Sequence, residues 1–191
     1  MSVATTATRS TIEYFDDHLV ITLPSRKHWP VILISSVWQV FWLFGELVVI
    51  ASLLLGKIDA WLFALIWLAV WTVAGGFTAY ALLWNLSGCE TIEVDAYGIR
   101  IQRQVLKFNL ARSYFAQHIA DVHVSPYVYN LFSPSWSVAY LNWGVGGGSI
   151  AFDYGGRQIR MGNGADDMET RHIVAAIHKH FPQYGSEYEF S

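Results

Sequence analysis

Apolar residues along this chain gather into two long blocks, and the flanking stretches alternate between apolar and polar. Val31 to Leu55 is a run of 25 residues with one charge, Glu46, inside "FWLFGELVVI". Ala60 to Leu86 is a second run with no charge. Each exceeds the roughly 20 residues that cross a hydrocarbon core about 30 Å thick. Neither has the polar face that a helix of a soluble bundle presents to water. Only "GKID" (56–59) joins them, so the helices must be adjacent and antiparallel. The pattern predicts a transmembrane hairpin with spans 31–55 and 60–86.

Outside these blocks the period falls to two. "TIEVD" (91–95) and "IRIQRQV" (99–105) predict a β-hairpin with Ile92, Val94, Ile99, Ile101 and Val105 on one face. "RSYFA", "IADVHVS" and "SWSVAYLNW" (135–143) predict further strands, and "SIAFDY", "GG" and "RQIRM" (149–161) a second hairpin. "TIEYF" and "LVITL" (19–23) predict strands ahead of the first block. The spacing of Ile173, Val174, Ile177 and Phe181 predicts a helix over 165–181, with acidic residues in its first turn and Lys179 in its last, as the helix dipole favours. The expected fold is a membrane α-helical hairpin plus an α+β, mostly-β domain of about seven antiparallel strands capped by a C-terminal helix. Along the chain this gives an N-terminal strand segment (1–30), the hairpin (31–86) and a domain over 87–191.

Composition agrees with a membrane protein. Apolar residues are 53% and charged residues only 14%, against about a quarter in soluble domains. A net charge of -3 gives no footprint for nucleic acid. The first twenty residues lack the basic-then-apolar order of a signal peptide. Arg26 and Lys27 precede the first span, whereas Lys57 in the connecting loop is offset by Asp59. The positive-inside rule then predicts both termini in the cytoplasm; the expected location is the cell's inner (plasma) membrane.

Three stretches carry a resemblance: "CETIEVDAYGIRIQRQ", "HIADVHVSP" and "GSIAFDYGGRQIRMGNGADDMETRHIVAAIHKHF". With the preceding hairpin, this order resembles the bacterial pleckstrin-homology-like membrane proteins over most of residues 89–181. The resemblance implies a PH-like (pleckstrin-homology-like) fold and a membrane-tethered, non-enzymatic role. Phosphoinositide binding is not implied, because residues 87–191 hold eight Lys or Arg against ten Asp or Glu, with no local basic cluster.

Chemistry-bearing motifs are sparse. Cys89 is the sole cysteine and reads as an inert thiol at a helix end, with lipidation the alternative. None of the seven histidines has metal-site spacing. "GVGGGS" (144–149) precedes a strand, so it does not fit a dinucleotide cradle, and "GNGADD" (162–167) fits a helix cap better than a calcium loop. No catalytic residue, cofactor or metal ligand is expected. The uncharged aromatic stretch 127–143 is a core or membrane-surface segment, or else an apolar docking patch built on Tyr127, Tyr129, Phe132, Trp136 and Trp143.

Glu46 is the oddest residue. It lies nine residues from the end of its span, about 13 Å deep at 1.5 Å per residue. Gln39 is on the same face, and an antiparallel partner would bring Ala69 level with Glu46 and Gly76 level with Gln39. Gln39, Glu46, Thr72 and Gly76 are therefore expected to form a polar, closely packed seam. Glu46 is either a neutral acid bonded within the hairpin or a homo-oligomer, or the mate of a group on another membrane subunit, or part of a proton path. These features point to a non-enzymatic accessory or assembly subunit whose partners are the lipid bilayer and a membrane protein. A self-assembling scaffold is the alternative, and a proton-linked transport component is the third.

Overall fold

The computed structural model describes residues 3–6, 9–125 and 148–185. Three strands come first: β1 (Val3–Thr6), β2 (Thr11–Tyr14) and β3 (His18–Pro24). Two helices follow, α1 (Trp29–Leu54) and α2 (Trp61–Ser87). Then come β4 (Cys89–Asp95), β5 (Gly98–Val105) and β6 (Phe108–Phe115), then β7 (Ile119–Val124), β8 (Ile150–Tyr154) and β9 (Arg157–Met161). Helix α3 (Asp167–His180) ends at Phe181 and Pro182, as a proline there requires.

The first six strands form one antiparallel sheet in sequence order, and β7, β8 and β9 form a second. The helical hairpin is inserted between two neighbouring strands. β3 and β4 pair over their whole length, from His18 opposite Asp95 to Pro24 opposite Cys89. Residues 1–30 and 87–191, separate along the chain, therefore share a single sheet. Of the seven strands expected in 87–191, six are among the described residues, β4 to β9, and β2 and β3 are the two expected before the hairpin. β1 was not anticipated, and β6 starts earlier than expected, at Phe108. The stretch 135–143 lies outside the described residues.

Alternation explains the strands that were anticipated. Leu19, Ile21 and Leu23 of β3, Ile92 and Val94 of β4, and Ile99, Ile101 and Val105 of β5 are all buried. All but Val105 meet Phe152, Ile173 and Ile177 from the second sheet and α3 in one core. Such burial contributes roughly 1.5–3 kcal/mol per large aliphatic side chain. The turn from β4 to β5 is tied by Asp95, whose Oδ1 accepts from Tyr97 N and Gly98 N at 2.7 Å each. Gly155 and Gly156, at φ 55° and 81°, make the two-residue turn from β8 to β9.

Helix α3 is held at its start by a capping box. Asp166 accepts from Glu169 N at 2.8 Å, and Glu169 accepts from Asp166 N at 3.1 Å. The 162–167 loop is thus the lead into a helix cap. His178 Nε2 lies 2.7 Å from Val122 O, and His180 Nε2 lies 3.1 Å from Phe15 O, so these rings tie the helix to both sheets.

Helices α1 and α2 are of another kind. Each is long and apolar enough to cross a membrane. Within α1 only Ile32 and Glu46 are buried, while Phe41, Phe44 and most of their neighbours are exposed.

Candidate functional site

Where the two long helices touch, their contact is polar and tight. Gly75 of α2 is buried under the indole of Trp42, and a Cβ at this position would lie 1.8 Å from the ring. This close approach lets Trp42 Nε1 donate to Trp71 O at 3.1 Å. One turn further along α1, Glu46 is only 7% exposed. Its Oε1 is 2.5 Å from Thr72 Oγ1, which is also 2.8 Å from Leu68 O.

These two contacts compete for one hydrogen. A hydroxyl has a single O–H, and a backbone carbonyl only accepts. The Thr72 hydroxyl is thus divided between Glu46 Oε1 and Leu68 O. Among the described residues no cationic side chain pairs with Glu46.

The seam is incomplete. Among the described residues, Glu46 Oε2, Gln39 Oε1 and Trp71 Nε1 are buried and have no hydrogen-bond partner. Trp71 stacks against Trp67 at 4.7 Å between ring centroids and tilts against Trp38 at 6.2 Å.

The sequence-derived alignment of the helices is displaced by about one turn. Thr72, and not Ala69, lies opposite Glu46. Gly76 is exposed, and a Cβ on it would meet nothing within 4 Å, so the close approach belongs to Gly75. Gln39 stays on the buried side of α1 but makes no bond to the other seam residues. Tyr127, Tyr129, Phe132, Trp136 and Trp143 lie outside the described residues.

Family models, characterised proteins and solved structures were compared with the chain. None matches it. The site must be read from its own chemistry.

Two more buried carboxylates were not anticipated. Glu90 is fully buried on the inward face of β4, where its oxygens accept from Gly162 N at 2.9 Å and Asn163 N at 3.3 Å. Arg103, directly opposite on β5, pairs with it at 3.3 Å, at an angle too oblique for a hydrogen bond. Glu169, 3% exposed, accepts from the backbone of Arg9 and Ser10 and pairs with the Arg9 guanidinium at 3.3 Å. Both were legible in principle: Glu90 falls in step with Ile92 and Val94, and Arg103 with Ile99 and Ile101. Outside the helices, burial raises the Cys89 thiol above its ordinary range, which makes it a poor nucleophile. Among the described residues, no group of three or more His, Cys, Asp or Glu is placed to hold a metal.

Proposed function

We propose that this chain is a non-enzymatic membrane protein that acts as an accessory or assembly subunit, docking on another membrane protein through the hairpin seam. The observation that carries this reading is the unpaired set Glu46 Oε2, Gln39 Oε1 and Trp71 Nε1 on an otherwise apolar hairpin. In hydrocarbon no water can satisfy such groups, and a partner helix that supplies a donor and an acceptor removes their cost. Support for membrane insertion comes from the exposed apolar surfaces of α1 and α2. Because β3 pairs with β4, the start of α1 and the end of α2 lie side by side, which suits two crossings with both termini on one side. Arg26 and Lys27 at that end favour the cytoplasm. Two antiparallel sheets closed by a C-terminal helix suit the PH-like reading of the domain.

The test is extraction of the full chain in mild detergent with identification of what comes with it. The expected result is a stoichiometric membrane partner that is lost with Glu46→Leu while the hairpin stays folded. A protein that extracts alone and monodisperse, at wild type, overturns the proposal. A second reading has one observation behind it: the hairpin bears both unpaired acceptors and an unpaired donor, so a second copy could complete the set. Crosslinking that yields only the homodimer selects that reading.

A further inference from the structure

The β5–β6 turn sits at the same end of the sheet as the helices. β4 begins two residues after α2 ends, and Cys89 at its start pairs with Gln104 of β5. Val105 pairs with Phe108, leaving the two-residue turn Leu106–Lys107. Leu106 has φ 53°, a left-handed conformation that glycine adopts freely and a bulky residue does not. Its side chain is nonetheless 53% exposed, and Phe108 and Leu110, next along the sheet edge, are 79% and 65% exposed. Exposure falls on three large apolar residues in a row, and strain on the first of them, Leu106, where an outlier points to function.

Their height is set by the register. Strands rise about 3.3 Å per residue, so Phe108 lies within roughly one residue step of the end of α2. Arg112, in step with Phe108 and Leu110 on the same strand, lies about 13 Å beyond Phe108. Lys107 and Arg112 are both exposed. Apolar side chains nearest the helix feet, with cations beside and beyond them, match the order of acyl chains and phosphates at a bilayer surface.

We propose that Leu106, Phe108 and Leu110 insert into the interface of the bilayer that the hairpin spans, with Lys107 and Arg112 against lipid phosphates. This contact rests on the spanning reading given above. It would hold the sheet domain at one fixed angle over the membrane. A docked protein is the weaker occupant, because the patch lies at the level of the helix ends and is flanked by Lys107 and Arg112.

Spin labels on the full chain test this. In a Cys89→Ser background, single cysteines are placed by Phe108→Cys and Leu110→Cys, with Tyr97→Cys at the opposite end of the sheet and Val40→Cys in the middle of α1. The protein is reconstituted in phosphatidylcholine–phosphatidylglycerol vesicles, and each label's collisions with oxygen and with a water-soluble nickel chelate are compared. The expected result is a severalfold preference for oxygen at 40, 108 and 110, and for nickel at 97. Lipid exposure at 40 with water exposure at both 108 and 110 overturns this inference and leaves the spanning reading standing. Water exposure at 40 overturns both. Labels at 108 and 110 that are shielded from both reagents indicate a protein contact and also overturn it.

Discussion

Glu90 and Glu169 in the sheet domain and Glu46 in the hairpin are equally hidden from solvent, yet they live in opposite circumstances. Each domain carboxylate has an arginine and at least two backbone N–H groups, all from its own chain. Glu46 has one hydroxyl, shared with Leu68 O, and an oxygen with nothing on it. The domain glutamates are finished structural ties. β4 is pinned to the loop after β9 by one, and the N-terminal segment to α3 by the other. The hairpin glutamate is unfinished, and on the docking proposal this separates a group kept for folding from a group kept for contact.

The sharpest way to break that comparison is to delete one carboxylate of each kind. Glu169→Ala leaves the backbone N–H groups of Arg9, Ser10 and Asp166 without their acceptor, so the domain should lose about 3–5 kcal/mol. This is read as a lowered urea midpoint for hydrogen-exchange protection of α3 in the full chain, in mild detergent. Glu46→Leu should leave hairpin stability unchanged or slightly raised, since Thr72 keeps Leu68 O and no charge is stranded. A large loss from Glu46→Leu would erase the distinction.

The second test stays within the hairpin. Gly75→Ala drives a methyl into Trp42 and should cost about 1–3 kcal/mol. Gly76→Ala meets nothing and should add about 0.5–1 kcal/mol through helix propensity. Resistance of the helical circular dichroism to SDS ranks the two. Equal effects would mean that the helices do not pack through Trp42.

The smallest effect is on the domain side. Tyr184 donates to Asp95 O at 2.8 Å, and burial, helped by the Asp95 charge, pushes its phenol up to about 12 from the ordinary 10. A group whose folded value is raised adds stability that is fully present below pH 10 and lost as pH rises through 12. Tyr184→Phe should cost about 1 kcal/mol at neutral pH and flatten the alkaline end of the stability profile, measured by thermal unfolding between pH 8 and 12.

What the sequence revealed followed the range of its signals. Period-two alternation marked β2 to β5, β8 and β9, and acidic first-turn residues marked α3, because each depends on neighbours a few residues apart. Pairing of β3 with β4 across residues 25–88 leaves no local trace. The helix offset was misjudged by one turn because it depends on Trp42 fitting over Gly75, and no loop length encodes that fit. Glu46 drew notice by its charge alone. Glu90 and Arg103 escaped because polar residues on strands read as outward-facing, although their parity placed them with the buried set.

The insertion point of the hairpin also dictates an order of manufacture. β3 leaves the ribosome early, but its neighbour β4 is not made until both helices are. At about 5–20 residues per second the wait is roughly 4–14 s, during which Leu19, Ile21 and Leu23 have one sheet neighbour missing. Closure then joins Pro24 to Cys89, with Ser25 N–H donating to Gly88 O at 2.8 Å, directly at the feet of the helices. A chain whose second helix failed to return to the starting side would leave β3 and β4 too far apart to pair. If the hairpin spans a membrane as proposed, completion of the sheet works as a built-in inspection: only a correctly threaded hairpin can produce a finished domain.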